Sequence, residues 1–222
     1  MIELVVFDMA GTTVYDGDAV AECFGAALAA VQVHPQRQAI NDVMGLHKPE
    51  AIRRLLSAAG RTDSDADVER IHDDFVKRML HFYATDPSVR EIPGAGETFA
   101  KLRRAGIKVA LNSGFNRQIV DAILRRLAWT NAVDATIASD EAPRGRPHPD
   151  MIRLLMAKFG VEDARRVAKV GDTPVDLQEG KNVGCAFIIG VTTGSFARQQ
   201  LESCEHTHIV QSVVDVPAIL GI

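Results

Sequence analysis

Several features are scarce in this chain of 222 residues, and each absence excludes a class of protein. The three cysteines, Cys23, Cys185 and Cys204, form no close-spaced pair, which argues against a disulfide framework or zinc site and favours a reducing compartment. No apolar run approaches the roughly 20 residues that span a bilayer. The apolar start, Ile2–Phe7, has no basic flank and is too short for a signal sequence. The net charge of −4 gives no reason to expect nucleic acid or a membrane as partner. We expect a soluble, cytoplasmic globular protein.

What the sequence does contain is an alternation of short apolar runs with helical patterns. Runs rich in β-branched residues and apolar on both faces predict strands of a parallel sheet that helices cover. The predicted strands are Ile2–Phe7, Ile107–Leu111, Ala135–Ala138, Val167–Val170, Ala186–Val191 and His208–Val210. The helical patterns between most of them are Ala95–Arg104, Arg117–Trp129, Met151–Phe159 and Val175–Asn182. This alternation predicts a doubly wound α/β fold.

One block, from about Asp18 to Tyr83, breaks the alternation and carries only helical patterns. These patterns are Ala19–Val31, Glu50–Ala59 and Asp65–His81, the last preceded by Ser64 as a cap with Asp67 three residues on. We predict an inserted all-helical cap domain of residues 16–88 and an α/β core of residues 1–15 and 89–222. The expected hinges are Tyr15–Gly17 and Asp86–Pro93, which hold glycine and proline. Such insertions often act as lids over a site at the strand ends.

Polar residues follow four of the predicted strands. Asp8 ends the first strand and Asn112-Ser113-Gly114 the second, while Arg146 lies in SDEAPRGRPHPD after the third. The fourth ends in VGDTPVD, which contains Asp172 and Asp176. Because ligands of open parallel sheets bind outside the carboxyl ends of the strands, we expect these residues to converge at one edge.

The chemistry of these residues is that of phosphoryl transfer. Asp8 and Asp172 can share Mg²⁺, which prefers oxygen ligands. The hydroxyl and N–H groups at Ser113-Gly114 can hold phosphate oxygens, and Arg146 adds a fixed positive charge. An aspartate beside a metal and a phosphate can attack phosphorus. Each residue alone has an ordinary interpretation, such as a turn or a solvated surface. Together they predict an active site.

The stretches DMAGTTV, LNSG, RGRPHP and GDTPVD resemble the four motifs of the haloacid dehalogenase superfamily. This resemblance spans nearly the whole chain. It implies a Rossmann-like core, a smaller cap where the helical block lies, and phosphoryl transfer through an aspartate with Mg²⁺. In superfamily phosphatases an acid two positions after the nucleophile protonates the leaving oxygen, and here that position is Ala10. Since one general acid typically contributes ~10² to 10⁴ in rate, we expect the leaving group to be activated in another way.

The stretch VMGLHKPEAI offers such a way through Lys48. A lysine amine can condense with an aldehyde to form a Schiff base. If the aldehyde lies beside a C–P bond, the carbon leaves as an enamine and needs no acid. The stretches DMAGTT and MGLHK resemble the D-x-A-G-T-T and M-G-L-x-K motifs of the phosphonatase, or phosphonoacetaldehyde hydrolase, branch. The ordinary interpretation of Lys48 is a solvated surface lysine.

The phosphonatase resemblance implies roles for individual residues. Lys48 would be the Schiff-base lysine and Asp8 the nucleophile. Asp8, the carbonyl of Ala10 and Asp172 would be the Mg²⁺ ligands, and Asp176 would orient the metal shell. The arginine at position 146 also fits, since phosphonatases carry arginine where most relatives have lysine. The resemblance further implies a homodimer formed through cap helices.

Three positions depart from the phosphonatase pattern, all at the aldehyde end of the expected site. Ala51 stands where that branch has a histidine, Asp18 where it has a cysteine, and Phe115 where it has a tyrosine. We therefore expect either phosphonoacetaldehyde or a related 2-oxoethylphosphonate, for example a 1-hydroxy derivative whose hydroxyl would bond Asp18. Met44, His47 and Phe115 are further candidate substrate contacts, and His47 is a candidate base.

Other functions stay open at this point. A small-molecule phosphomonoester phosphatase would keep Asp8, Arg146 and Asp172 but leave Lys48 without a role. A dehalogenase also lacks the second acid, although the carboxylates of GDTPVD argue against it. A phosphate-binding pseudo-enzyme is the alternative from a different class. For the dimer, Ala19–Val31 is a candidate face, but it could equally be cap core.

Overall fold

A computed structural model describes residues 1–15, 17–62 and 64–222. The strands are β1 (Leu4–Asp8), β2 (Val14–Tyr15), β3 (Arg90–Glu91), β4 (Lys108–Ser113), β5 (Ala135–Ala138), β6 (Val167–Gly171), β7 (Phe187–Val191) and β8 (His208–Val210). The helices are α1 (Ala19–Ala29), α2 (Arg37–Asp42), α3 (Lys48–Ala58), α4 (Asp65–Thr85), α5 (Ala95–Arg104), α6 (Arg117–Arg126), α7 (Asp150–Phe159), α8 (Pro174–Val183), α9 (Arg198–Glu202) and α10 (Val216–Ile219).

A parallel sheet of six strands, in the order β5-β4-β1-β6-β7-β8, lies at the centre of the described residues. All of β1 is buried, because it pairs with β4 on one side and β6 on the other and the sheet is flanked by helices such as α5, α7 and α8. Asp8 lies opposite Asn112 in the register of β1 and β4. The predicted α/β fold is therefore confirmed, and the strand ends that carry the polar residues meet at one edge.

The helical block between β2 and β3 forms a second packed layer. α1 packs against α4, where the rings of Phe24 and Phe75 stack with centroids 4.5 Å apart. α4 begins as predicted, since the hydroxyl of Ser64 accepts from the backbone N–H of Asp67 and the Asp67 carboxylate accepts from the N–H of Ser64. Among its described residues, the block contains one helix that the sequence did not predict, α2, which is short and mostly polar.

A two-stranded antiparallel ribbon of β2 and β3 lies where the chain enters and leaves this block. It was not predicted, because strands of two residues carry no periodicity. The guanidinium of Arg90 lies 3.8 Å from the ring centroid of Tyr15 on this ribbon. The predicted hinge at Tyr15–Gly17 includes Asp16, which lies outside the described residues. The division into a core and a cap at residues 15 and 88 stays a prediction.

The alanines and phenylalanine of α1 that were candidates for a dimer face are largely buried within the chain. Ala21, Phe24, Ala27 and Leu28 are among the buried residues of the core. The homodimer and the cytoplasmic location stay predictions. In the part of the chain that the structure describes, no helix combines the length and apolar composition needed to cross a membrane.

Candidate active site

One cavity of about 350 Å³ lies at the carboxyl edge of the sheet, beneath the helical block. Most of the predicted site residues line it, from both the sheet and the block: Asp8, Ala10, Asp18, Met44, Lys48, Ser113, Gly114, Phe115, Arg146 and Asp172. Asp176 and His47 are not among the described residues that line it. The cavity thus brings together the strand-end residues and the lysine that the sequence singled out.

Three buried carboxylates cluster at the sheet edge, and two of them, Asp8 and Asp172, line the cavity. One oxygen from each of Asp8, Asp172 and Asp176 lies within 4.8 Å of the others. Burial, together with repulsion by Asp8 and Asp176, raises the pKa of Asp172 well above its usual value. Burial also raises the pKa of Asp8, although the charge of Arg146 opposes this shift. Carboxylates held together in this way favour a cation between them.

Arg146 connects two of these acids. Its Nη1 donates to the Asp8 carboxylate at 2.6 Å and also to the Asp176 carboxylate. Burial alone would raise the pKa of Asp176, but the charges of Arg146 and Lys169 hold it at about 2. Among the described residues, the buried Nε of Arg146 has no hydrogen-bond partner. A bound anion in the cavity could satisfy this donor.

A fully buried polar network lies behind the acids and was missed by the sequence analysis. The ammonium of Lys169 lies 3.0 Å from Asp176 and 3.1 Å from Glu179, and it donates to the Asn112 side chain at 2.6 Å. The amide of Asn112 in turn donates to Glu179 at 2.8 and 3.0 Å. A lysine within the apolar run VAKVG was the available signal, because a buried strand lysine requires anionic partners.

The turn after β1 explains the Gly-Thr-Thr of the first motif. The hydroxyl of Thr12 donates to the Asp172 carboxylate at 2.8 Å, and that of Thr13 donates to the carbonyl of Asp8 at 2.9 Å. Gly11 has φ +84, and a β-carbon there would lie 2.6 Å from Oδ2 of Asp172. Glycine is therefore required by both conformation and space. Thr193 was not predicted, and it donates to the Gly11 carbonyl at 2.6 Å from the loop after β7.

Lys48 comes from the helical block as the first residue of α3. It is only 4% exposed, which rules out the ordinary interpretation of a solvated surface lysine. Its Nζ lies 5.4 Å from the ring centroid of Phe24 and 5.0 Å from that of Phe115. Two aromatic faces thus hold the side-chain nitrogen at the same cavity that Asp8 lines.

The remaining candidates at the aldehyde end occupy different places. Asp18 lines the cavity and forms an ion pair with Arg37 of α2. Nδ1 of His47 lies 3.0 Å from the hydroxyl of Ser139. Ala51, where a histidine was expected by the resemblance, is fully buried in α3.

Comparisons with known proteins identify the family of this chain. The model of the haloacid dehalogenase-like hydrolases matches residues 2–184. The chain belongs to this hydrolase family. The phosphonoacetaldehyde hydrolase of Pseudomonas fluorescens (strain SBW25) is 29% identical over 99% of this chain and 92% of its own length. That of Hahella chejuensis is 33% identical over 86% of this chain and 68% of its own length. The predicted resemblance is therefore confirmed.

Solved structures show the same fold at low sequence identity. A hydrolase from Pseudomonas syringae superposes with a TM-score of 0.90 at 17% identity, covering 100% of this chain and 98% of the other. A phosphonoacetaldehyde hydrolase-like protein from Oleispira antarctica gives 0.86 at 23% identity, covering 99% and 91%. At such identities the likeness extends to the fold alone.

The donor set of this haloacid dehalogenase-like hydrolase fits a hard divalent cation. All three clustered acids offer carboxylate oxygens, which Mg²⁺ prefers, and nitrogen or sulfur ligands are not part of the cluster found among the described residues. The cations Arg146 and Lys169 pair with Asp8, Asp176 and Glu179, whereas Asp172 accepts from the hydroxyl of Thr12, so four carboxylates stand against two cations. With all six groups ionised, the carboxylates exceed the cations by two charges, which a divalent cation would balance.

Proposed function

We propose that this hydrolase cleaves the C–P bond of phosphonoacetaldehyde or of a close 2-oxoethylphosphonate, such as its 1-hydroxy derivative. The observation that carries the proposal is that Lys48 and Asp8 line one cavity, together with Ala10 where a phosphatase would need an acid. The names of the two curated relatives support the same substrate class.

The phosphoryl end of the reaction is assigned to the sheet edge. Asp8, the Ala10 carbonyl and Asp172 would hold Mg²⁺, and Asp176 would orient its surroundings. The ion would supply neutralisation of the charge that builds up on the phosphoryl oxygens. Ser113, Gly114 and Arg146 would bind those oxygens, and a carboxylate oxygen of Asp8 would attack phosphorus.

The aldehyde end is assigned to Lys48. Its neutral amine attacks the aldehyde carbon, and the uptake of one proton from solvent with the loss of water gives a protonated imine. As Asp8 bonds to phosphorus, the C–P bond breaks and its electron pair moves toward the imine nitrogen, giving an enamine. The leaving carbon thus departs without a proton from position 10, which explains how the site can operate with alanine there.

Two hydrolyses complete the cycle. The enamine takes a proton on carbon and water releases acetaldehyde, or glycolaldehyde from the 1-hydroxy substrate, which restores the Lys48 amine. Water also cleaves the aspartyl-phosphate, releasing phosphate and restoring Asp8. The net reaction consumes one water per substrate. Met44 and Phe115 would pack against the aldehyde end, and Asp18 would accept a hydrogen bond from a substrate hydroxyl.

The test is product analysis with a matched pair of variants. Lys48→Arg keeps the positive charge but removes imine formation, whereas Lys77→Arg makes the same change at an exposed lysine of α4. We expect wild type and Lys77→Arg to release equal amounts of aldehyde and phosphate with Mg²⁺, and Lys48→Arg to lose at least about 10³-fold in rate.

Other outcomes would overturn the proposal. If Lys48→Arg retains turnover of phosphonoacetaldehyde, Lys48 has no catalytic role and the Schiff-base reaction is wrong. If phosphate comes only from ordinary monoesters, the protein is a phosphomonoester phosphatase. If no phosphoryl substrate is turned over with Mg²⁺, the site is that of a phosphate-binding pseudo-enzyme.

A further inference from the structure

The segment directly before Lys48 is docked on the sheet edge. This docking segment, Gly45–His47, meets three loops at the carboxyl ends of the strands. A β-carbon on Gly114 would lie 2.6 Å from the Leu46 carbonyl oxygen, and one on Gly145 would lie 2.7 Å from Cβ of His47. A β-carbon on Gly45 would lie 2.6 Å from Oγ1 of Thr173. The docking segment and the three loops therefore lie so close together that only glycine fits at these contacts.

The three contacted positions have a common property. Gly114, Gly145 and Thr173 each neighbour in sequence a residue assigned to phosphate or metal: Ser113, Arg146 and Asp172. The docking segment thus touches the phosphoryl half of the site at three points and continues directly into Lys48. A displacement of this segment would change the distance between the lysine and the bound phosphoryl group.

One polar contact joins the docking segment to the core. Nδ1 of His47 lies 3.0 Å from Oγ of Ser139, which is itself buried just after β5. The same hydroxyl lies 3.1 Å from the Gly114 carbonyl oxygen and 3.0 Å from that of Phe115. When the hydroxyl donates to one of these carbonyls, its lone pair accepts from Nδ1–H of His47, so a single chain of hydrogen bonds runs from the docking segment to the phosphate loop.

We propose that His47 is a positioning residue, which holds Lys48 at the reacting distance by anchoring the docking segment to Ser139. This inference rests on the proposed function, because it assigns His47 to the placement of the Schiff-base lysine. It also replaces the role of a base in the cavity, since His47 is not among the described residues that line it.

The first test is a double-mutant cycle with a rescue. We expect His47→Ala and Ser139→Ala each to lower kcat on phosphonoacetaldehyde by roughly three- to tenfold, the range for one net hydrogen bond. The double variant should be no worse than the poorer single variant, because both remove the same bond. His47→Asn should restore most of the rate, since its amide N–H can take the place of Nδ1–H. Mg²⁺-dependent hydrolysis of p-nitrophenyl phosphate, whose leaving group needs neither acid nor lysine, should be unchanged.

A second perturbation displaces the segment without touching the bond. Gly145→Ala places a methyl group against Cβ of His47 and should lower kcat on phosphonoacetaldehyde in the same way. Gly25→Ala is the matched control, because a β-carbon there meets its nearest neighbour, Cδ1 of Ile40, at an ordinary 3.9 Å. It should leave both activities at wild-type values.

Hydrogen–deuterium exchange of residues 43–50 separates this inference from the proposed function. We expect faster exchange there in His47→Ala, Ser139→Ala and Gly145→Ala than in wild type or Gly25→Ala. Unchanged exchange, or losses that add up in the double variant, would overturn the anchoring role while Lys48-dependent turnover persists. If Lys48→Arg keeps full turnover, the proposed function fails, and His47 has no lysine to position whatever the exchange shows.

Discussion

Ala10 and Gly11 are adjacent residues of the turn after β1, and each is constrained by a different requirement. Gly11 is needed for its positive φ and for the space that the Asp172 carboxylate occupies. Ala10 lines the cavity but brings no proton donor to it. Gly11 is therefore fixed by the structure of the turn. Under the proposed function, Ala10 is the position that distinguishes C–P cleavage from monoester hydrolysis.

A restored acid at position 10 should change the substrate preference. We expect Ala10→Asp to raise hydrolysis of an alkyl phosphate monoester by ~10²-fold, since a general acid would then protonate the leaving oxygen. Ala10→Asn is the control of equal size without the acid. Steady-state phosphate release on the monoester and on phosphonoacetaldehyde measures the effect. No gain over Ala10→Asn would mean that position 10 does not face the leaving group.

The glycine beside it is expected to be intolerant of change. Gly11→Ala should lower the free energy of unfolding by about 1–3 kcal/mol through backbone strain, and it should weaken Mg²⁺ binding by displacing Asp172. Urea unfolding in EDTA and Mg²⁺ titration by calorimetry measure the two effects. Wild-type values for both would show that the turn relaxes without disturbing the carboxylate.

At the scale of elements, β6 and α8 are joined by the buried Lys169–Glu179 pair. Removing one partner of such a pair leaves an uncompensated buried charge. We expect Lys169→Met to lower the free energy of unfolding by about 3–5 kcal/mol. The double variant Lys169→Met/Glu179→Gln should recover much of this loss. Chemical denaturation measures both, and equal stabilities of the single and double variants would contradict the pairing.

The elements also show what can be predicted from sequence. The apolar runs of the sheet and the Ser64–Asp67 cap follow from local periodicity and local hydrogen bonding, and their bounds are close to those predicted. α6 ends earlier than predicted, at Arg126, because Ala128 has a positive φ and turns Trp129 onto Phe99. The short α2 and the β2–β3 ribbon depend on contacts with the rest of the fold. Segments of two to six residues are too short to show a periodic pattern in the sequence.

At the scale of the whole molecule, the site is formed by two layers that are remote in sequence. The strand-end acids, Ser113 and Arg146 could be predicted because a parallel sheet brings its carboxyl ends together. The contacts of His47 with Ser139 and Gly145 could not, since they join residues far apart in the chain through shape alone. Lys169 and Glu179 were missed although they are close in sequence, and the lysine within the apolar run VAKVG was the signal that could have found them.

If Mg²⁺ binds as proposed, the acid cluster links the stability of the whole protein to metal binding. Asp172→Asn should raise the Tm of the metal-free protein by about 2–4 °C, the shift for about 1 kcal/mol in a chain of this size, because it removes repulsion with Asp8. It should also abolish the Tm increase that Mg²⁺ gives wild type by binding the folded state. Differential scanning calorimetry in EDTA and in Mg²⁺ measures both. An Mg²⁺-dependent increase that persists in the variant would remove Asp172 from the metal site.

The most direct measurement traps the covalent intermediate on Lys48. The protein is incubated with Mg²⁺ and phosphonoacetaldehyde, reduced with sodium borohydride, digested, and mapped by mass spectrometry. We predict an ethyl group on Lys48, which forms when the C–P bond breaks while the carbon is held as an imine, and no equal ethylation of the exposed Lys77, which free acetaldehyde would also modify. Continued release of aldehyde and phosphate from an unreduced sample, with Lys48 unmodified after reduction, would contradict the Schiff-base reaction.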